Sequence, residues 1–449
     1  MPKRKKKKRV RTFEVNPSLF GKGASVNPYD VEVQAERDSF KRYYTNLKEA
    51  CDGMDAWNWS TEQPDAQYLA IILRDKKMSM YDAKPVKRLI EVCKRFKIIE
   101  RGENNNVYLN GIVNLGEQRW MWMRKPEEWT PKSVNRGKRF SELLRYLMVQ
   151  YDVPEFLDKA WMDMSEEAVR HRQWFINLGG GENIRVQKDL PVQLSKKAAH
   201  WFLQTPSKFS IAEAFRWAQI MSMGADEIQA RHMLLTRLRQ SFENEDFWIT
   251  VIRYFIDNPF LDSVHYGPIC DYLQHKKFED RGQRWIDGRL VELSAEQPNL
   301  SMSKRDPITL LEQVNRWHRD LNKSQMGVED FSWSTCGIAG FEKKEKKWVY
   351  QIKELLDSRD LRDDGREMGH CVFSYAKSCK RGRCAIFSLA TVSEEGFCRE
   401  ATIEVDVKDR EIMQARKKFN DYPTNKDWKI MEEWAKQTGL TMNKWLQQA

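Results

Sequence analysis

The stretch from residue 364 to residue 375 places one histidine beside two side chains that can act as nucleophiles. His370 directly precedes Cys371 and stands four residues before Ser374. An imidazole within hydrogen-bonding reach can activate a thiol or a hydroxyl for nucleophilic attack. On a helix, residues four apart share a face, whereas adjacent residues point about 100° apart. The spacing therefore favours His370 with Ser374 as a nucleophilic pair.

A second arrangement pairs His370 with Glu404, a carboxylate in a segment that alternates apolar and polar residues. These two groups would provide an acid–base or metal-assisted centre of the kind used by nucleases and other hydrolases. A divalent metal is compatible with this arrangement, but the sequence contains no strong ligand motif, so the cofactor stays undefined. The candidate catalytic residues are thus His370, Glu404 and Ser374.

Two further interpretations of the same region remain open. A zinc site would join His370 to Cys371, Cys379, Cys384 and Cys398, but their spacing is irregular and Cys379 is expected to be buried, so no metal ligand set is predicted. The other interpretation is structural. In it, a satisfied polar network fixes the packing of a helix on a sheet, as buried polar groups commonly do. Its members would be His370, Tyr375, Glu404 and Gln414.

The region that carries these residues, 330–449, has the pattern of an α+β domain. Helical spacing starts at an N-cap formed by Asp357 and Ser358. It resumes as a helix that continues through His370, and Gly382 closes that helix. This prediction places the nucleophile candidates on one continuous helix.

Three strands are predicted after that helix. The middle strand alternates clearly, with Ala401, Ile403 and Val405 on one face and Glu404 on the other, so one face should be buried. The intervening turns are short, which favours an antiparallel three-stranded meander with helices packed on one side. A capped helix beginning at Thr424 completes the domain. The strands are predicted at residues 384–392, 397–407 and 411–416.

The rest of the chain is predicted to be mostly helical. Apolar residues recur at three- and four-residue steps through 131–329, which indicates an all-helical array. Residues 13–130 are expected to form a mixed helical region with a short hairpin at 107–113. Residues 1–12 would form a basic, disordered arm. The predicted fold class is therefore multi-domain, with mostly α-helical N-terminal and middle regions and a C-terminal α+β domain.

The net charge of +11 is concentrated in the arm. Eight Lys and Arg residues lie between positions 3 and 11, and they leave +3 for the remaining chain (11 − 8). Such a run is solvated and attracts phosphate through counterion release without reading sequence. The alternative is a solvating tail without a dedicated partner. We expect non-specific nucleic-acid binding through Lys5, Lys6, Lys7, Lys8 and Arg9.

Composition excludes several classes of protein. With 17 Trp, 14 Tyr and 21 Phe, most of the chain cannot be intrinsically disordered. No stretch reaches the roughly 18 consecutive apolar residues of a membrane-spanning helix, and no apolar run that could serve as a secretory signal follows the N-terminal charges. The eight cysteines are sparse and include no Cys-x-x-Cys pair, which is typical of reduced thiols. A cytoplasmic protein without a membrane span is expected.

The segment 119–124, Arg-Trp-Met-Trp-Met-Arg, admits two interpretations. Aromatic side chains flanked by arginines can stack on nucleobases. Large aromatic residues and methionine most often fill cores and interfaces, however, and packing is the favoured expectation here.

An ordered series of residues between 364 and 420 resembles the signature of the PcfJ-like proteins. It consists of Asp364 to Tyr375, Cys379, Gly382, Ile386 to Leu389, Ala401 to Val405, Gln414 to Arg416, and Asn420. Proteins of this family are encoded on conjugative plasmids, other mobile elements and some phages. The resemblance implies a mobile-element protein but no particular reaction. Gln414 and Asn420, which belong to the series, are further candidate binding residues.

The chain departs from that signature in two places. Asp364 stands where the family tends to carry glutamate, which keeps the carboxylate. Lys417 stands where a glycine is more usual, and loss of a glycine alters a backbone turn and bears on any ligand contact made there.

These observations favour a cytosolic accessory protein of a mobile element that associates with nucleic acid, with a C-terminal catalytic or recognition module. Protein partners encoded by the same element are also compatible with the sequence. The alternative function is a helical protein-interaction scaffold without catalytic activity, whose arm only keeps it soluble.

Overall fold

The computed structural model describes residues 28–52, 62–239, 241–280, 282–286, 289–324, 330–345, 347–370, 372–394, 396–418 and 421–442. They form two compact units, one built from residues up to Asp152 with Leu157–Gly181, the other from Val153–Phe156 with residues from Glu182 onward. None of the described helices has the length and apolar character needed to cross a membrane. Lys5 to Arg9 and Asn420 lie outside the described residues.

The first unit is helical in its described part. Its α-helices are α1 Pro28–Asp52, α2 Pro64–Asp75, α3 Lys84–Arg95, α4 Asn106–Glu117, α5 Arg136–Met148 and α6 Glu166–Gly179. Apolar residues bury one stripe of each of the middle helices; in α3 that stripe contains Val86, Leu89 and Ile90.

The predicted hairpin at 107–113 is wrong, because these residues belong to α4. The buried residues Leu109, Ile112 and Val113 recur at helical steps, so the apolar pattern marks a helix face. Gly111 does not break this helix. A Cβ atom on Gly111 would lie 2.2 Å from the ring of Phe140, so the glycine allows the close approach of α5.

The second unit begins with five helices and a β-hairpin. The helices are α7 Lys196–Leu203, α8 Ile211–Met223, α9 Glu227–Leu234, α10 Glu245–Asp257 and α11 Tyr266–Phe278. The hairpin pairs β1 (Gly282–Ile286) with β2 (Arg289–Leu293), and α12 (Pro307–Ser324) follows. The prediction of an all-helical array is therefore wrong at this hairpin. The sequence between its strands, Asp287-Gly288, is a strong hairpin signal.

A six-stranded sheet forms the C-terminal part of the second unit. Its strands are β3 Phe341–Glu345, β4 Trp348–Glu354, β5 Cys384–Ser393, β6 Gly396–Asp406, β7 Glu411–Arg416 and β8 Thr441–Met442. They pair in sequence order, and every pair is antiparallel except the parallel pair of β7 and β8. The three predicted strands are confirmed as β5, β6 and β7. The predicted strand number is wrong because β3 is a short charged edge strand, β4 is separated from β5 by helices, and β8 has two residues.

Helices cover both faces of this sheet. Helix α15 (Asn425–Thr438) begins at the predicted capping pair Thr424 and Asp427 and packs Trp434 against Phe387 of β5. The opposite face is covered by α13 (Ser358–Met368), a 3₁₀ segment (Val372–Tyr375) and α14 (Ala376–Lys380). The sheet is thus buried from two sides along its central strands.

The predicted helix through His370 is interrupted. Helix α13 ends at Met368, and Gly369 takes a left-handed conformation with φ of 67°. A 3₁₀ segment begins two residues after His370. His370 and Ser374 therefore do not share one α-helix, and the helical argument that paired them is wrong. Glycine adopts positive φ without steric cost, so a left-handed residue here ends the helix.

Candidate functional site

Strand β6 has one apolar face, which packs in the core, and one polar face. Ala401, Ile403 and Val405 are fully buried in the core that includes α15. Thr402 and Glu404 alternate with them and point to the other face of the sheet, beneath the segment from α13 to α14. The polar face of β6 is therefore the place where signature residues from several elements meet.

A buried network surrounds Asp364, and we call it the aspartate network. The Thr402 hydroxyl donates to Asp364 Oδ2 at 2.5 Å, and His370 Nε2 lies 2.9 Å from the same hydroxyl. Arg399 Nη1 donates to Asp364 Oδ1 and to Ser388 Oγ, both at 3.3 Å. Because the Thr402 proton is directed to the aspartate, the imidazole is the donor and carries its proton on Nε2.

Burial dominates the electrostatics of this network. Asp364 is 0% exposed and His370 is 5% exposed. Burial lowers the pKa of His370 to about 4. Burial also raises the pKa of Asp364, while the hydrogen bond from Thr402 and the charge of Arg399 act in the opposite direction. At neutral pH, His370 is therefore uncharged and enclosed by protein, which places it out of reach of a solvent-borne substrate.

His318 of α12 is a second buried imidazole, next to His370. Burial lowers the pKa of His318 to about 4, and the neighbouring His370 lowers it further. His318 Nε2 has no hydrogen-bond partner among the described residues. Protonating both rings would bring two positive charges together without solvent, so both rings are neutral at pH 7.

A second cluster on the same sheet face retains partial exposure, and we call it the glutamate cluster. Gln414 Nε2 donates to Glu404 Oε2 and to the Tyr375 hydroxyl oxygen, both at 2.9 Å. The Tyr375 hydroxyl in turn hydrogen bonds to Glu404. All three side chains are neither fully buried nor fully exposed. A carboxyl, a phenol and an amide thus share one small polar site.

The carboxyl group of this cluster, that of Glu404, has a pKa close to neutral pH. Burial raises the pKa of Glu404 to about 7, although the bonds from Gln414 and Tyr375 favour its ionised form. Asp271 of α11 adds a second negative charge, and burial raises the pKa of Asp271 to about 6. Arg239 partly offsets this effect on Glu404. A carboxyl with a pKa near 7 can take up and release a proton at physiological pH, as general acid–base catalysis requires.

The structure separates the two principal catalytic candidates. His370 belongs to the aspartate network and Glu404 to the glutamate cluster, and within the described chain they share no direct hydrogen bond or ion pair. Gln414 lies beside Glu404 as a binding candidate. Ser374 lies in the 3₁₀ segment, and its side chain is outside the described part of the structure.

The sequence reasoning missed several members of both clusters. Asp364 and Thr402 belong to the signature, but no local spacing connects them to His370. Asp271 and His318 come from helices outside the predicted α+β domain. Of the proposed zinc ligands, Cys379 and Cys384 place their Sγ atoms 3.8 Å apart. Among the residues described, no three His, Cys, Asp or Glu side chains form a metal ligand group.

Comparison with known proteins supports the resemblance. A family model described as PcfJ-like protein matches residues 304–431, which confirms the suspected resemblance to that family over this part of the chain. The matched range extends from just before α12 into α15, so it includes the aspartate network and His318 but not Asp271. No curated protein and no solved structure matches the chain.

Proposed function

We propose that this chain, which is PcfJ-like over residues 304–431, is a cytoplasmic accessory protein of a mobile element that associates with nucleic acid through its N-terminal arm. The observation that supports this proposal is the charge distribution. Eight of the eleven net positive charges lie between residues 3 and 11. Such a density neutralises phosphates and releases their counterions, which gives sequence-independent affinity.

A salt titration tests the proposal. We expect the full chain to bind labelled duplex and single-stranded DNA with an affinity that falls as salt rises. Replacing the five central arm cations by glutamine should weaken both complexes and reduce the salt slope by several units, because each contact contributes about 0.9 for duplex and about 0.7 for single strands. The variant carries glutamine in place of Lys5, Lys6, Lys7, Lys8 and Arg9.

A matched control removes the same charge from the folded surface. It carries glutamine at five exposed lysines, namely Lys196, Lys197, Lys304, Lys429 and Lys436. We expect its salt slope to stay close to that of the unmodified chain. Equal slopes for the arm variant and the unmodified chain would remove the arm from the interaction and contradict the proposal.

We further propose that the glutamate cluster is the reactive part of the C-terminal module. Glu404 would act as the general acid or base of a nuclease or other hydrolase, with Tyr375 and Gln414 orienting its carboxyl group. The supporting observation is the combination of partial exposure and a pKa raised to about 7. In this proposal His370 has a structural role, because it is enclosed and bonded to Thr402.

One observation favours the alternative of a non-catalytic interaction scaffold. In the aspartate network the carboxylate, both hydroxyls, the guanidinium and the imidazole all have partners, which is typical of a network that specifies packing. If the whole signature serves packing, the chain should copurify with one stoichiometric protein partner and retain no DNA or RNA. Nuclease activity that depends on Glu404 would exclude this alternative.

A further inference from the structure

The expected burial of the segment 119–124 is wrong for its first aromatic residue. Trp120 is 77% exposed, whereas Trp122 is partly buried and donates its indole N–H to the Leu115 carbonyl. A second exposed ring, Tyr81, lies in the turn before α3 and is 63% exposed. Exposed tryptophan and tyrosine in neighbouring loops indicate a contact surface.

Two ion pairs bring these loops together. Arg119 Nη2 lies 3.2 Å from Asp82 Oδ1, directly beside Tyr81. Lys76 Nζ lies 2.6 Å from Glu117 Oε2 and connects the same two segments again. We call the surface formed by residues 74–84 and 117–125 the aromatic platform.

Hydrogen bonds fix the backbone in both segments of the platform. The Ser79 hydroxyl and backbone N–H both donate to Asp82, and the Ala83 N–H donates to the Ser79 carbonyl. On the other segment, Met123 N–H donates to Leu147 O at 2.8 Å. The two rings are thus presented on ordered loops, which lowers the entropy cost of binding a ligand.

Each exposed ring carries its own cation. Arg119 Cζ lies 4.4 Å from the centre of the Trp120 ring, and Lys84 Nζ lies 4.7 Å from that of Tyr81. The cation lies over one face of each ring, so a planar ligand would stack on the other face, with a positive charge close by. Nucleobases attached to phosphates match this combination of a π face and adjacent negative charge.

The platform carries a net positive charge. Residues 74–84 and 117–125 contain seven Lys and Arg against three Asp and Glu, a net charge of +4. The whole chain beyond the arm has a net charge of +3, so everything outside arm and platform sums to −1. The exposed aromatic rings of the platform therefore lie in a segment pair whose charge suits a polyanionic ligand.

We propose that the aromatic platform binds single-stranded nucleic acid, with bases stacked on Trp120 and Tyr81 and phosphates beside Arg119 and Lys84. Duplex DNA hides its base faces, so it cannot use the rings in this way. This inference rests on the proposed association with nucleic acid and assigns it a strand type. The arm then supplies affinity for any phosphate backbone, and the platform supplies the preference for unpaired bases.

The test compares three DNA probes by fluorescence anisotropy, using the full chain and a variant with Trp120→Ala and Tyr81→Ala. The probes are a single strand of about 20 thymidines, an abasic strand of equal length, and a duplex. We expect the double substitution to weaken binding of the thymidine strand about tenfold or more and to leave the other two probes within about twofold.

Controls separate this inference from the proposed function. Phe260→Ala removes a fully exposed aromatic ring elsewhere and should change no affinity. Unchanged thymidine-strand affinity in the platform variant would overturn the stacking inference and leave arm-mediated binding intact. Equal losses on the abasic strand would also overturn it, because they would indicate phosphate contacts alone. If the unmodified chain binds none of the probes, the proposed function itself fails.

Discussion

The aspartate network and the glutamate cluster share one face of strand β6 but differ in their access to solvent. Thr402 and Glu404, one in each, are only two residues apart on that strand. Asp364 and His370 are almost completely enclosed, whereas Glu404 and its two partners retain partial exposure. Neighbouring polar groups on one strand therefore experience two different environments.

The difference lies in how each carboxyl group is compensated. Asp364 has an arginine within hydrogen-bonding distance, so its negative charge is paired inside the protein. Among the described residues, Glu404 accepts bonds from the neutral Gln414 and Tyr375, Asp271 adds a charge of the same sign, and Arg239 offsets it only in part. A paired buried charge specifies packing, whereas a carboxyl that has no cation bonded to it holds its proton up to neutral pH. The first arrangement is structural, and the second is suited to proton transfer.

The largest effect should follow removal of the enclosed carboxylate. Asp364→Ala removes the carboxylate that accepts from Thr402 and Arg399, and breaking a buried ion pair typically costs about 3 to 5 kcal/mol. We expect the free energy of unfolding in denaturant titrations to fall by roughly that amount. Asp363→Ala, an exposed position on the same helix, is the control and should change it by less than about 1 kcal/mol. Equal losses of unfolding free energy in the two variants would show that the aspartate network stabilises the fold no more than an exposed carboxylate does.

Acid should weaken the fold through the two enclosed histidines. Their folded pKa of about 4 lies below the ordinary value of 6.5, so the unfolded chain binds more protons between these values. The contribution of these histidines to stability is therefore highest above pH 6.5 and falls as the pH drops towards 4, by at most about 3 kcal/mol per histidine. The raised pKa values of Glu404 and Asp271 act in the opposite direction, so the decline is measured as the difference in unfolding free energy between the unmodified chain and His318→Gln at pH 7, 5.5 and 4.5.

The variant His318→Gln distinguishes protonation of the enclosed histidines from general acid denaturation. Glutamine cannot be protonated here, so the variant should lose less stability between pH 7 and 4.5 than the unmodified chain. His200 lies on the surface, and His200→Gln should leave the pH dependence unchanged. A decline of equal steepness in all three proteins would contradict the role of the enclosed imidazoles.

An intermediate effect is expected for His370→Ala. The substitution leaves the Thr402 hydroxyl without its imidazole neighbour and opens a small cavity, which together cost on the order of 1 to 3 kcal/mol. We expect the melting temperature to fall by several degrees, with His200→Ala as the exposed control. A variant that keeps its melting temperature but loses hydrolase activity would instead place His370 in the chemistry.

Local patterns were sufficient to predict much of the sheet. Alternation identified β6, short turns on either side of it supported β5 and β7, and the capping pair of Thr424 and Asp427 located the start of α15. These signals are local, because burial of one sheet face and satisfaction of a helix terminus both act over a few residues. The same signals failed at Gly369, where the helical spacing continues past a residue whose left-handed conformation ends the helix.

The candidate site was predictable only in part. Glu404 and Gln414 face each other across neighbouring strands, so alternation and short turns bring them together. Asp271 and His318 reach the polar sheet face from helices far away in the sequence, and no periodicity within one segment encodes such a contact. The same limit applies to Trp120, because its exposure depends on the packing around the 3₁₀ turn and not on its residue type.

The smallest effect on stability is expected for Glu404→Gln, and its sign depends on pH. The folded pKa of about 7 lies above the ordinary value of 4.5, so the folded chain binds more protons between these values. The stabilising contribution of the carboxyl is thus complete below pH 4.5 and is lost as the pH rises through 7. Glutamine stays neutral and keeps a hydrogen-bonding carbonyl. We expect no change at pH 4.5 and a gain of about 1 kcal/mol at pH 8, after allowance for partial solvent screening.

Because Glu404→Gln changes stability so little, the substitution distinguishes a catalytic role of Glu404 from a packing role. A glutamine cannot take up or release the proton, so Glu404→Gln should abolish hydrolase activity on DNA while leaving DNA affinity almost unchanged and raising the melting temperature at pH 7 slightly. Glu433→Gln removes an exposed carboxylate that pairs with Lys343 on the surface and should retain full activity. Full activity in the Glu404 variant would place the glutamate cluster with the aspartate network as a packing device. The two clusters would then differ in exposure but not in role.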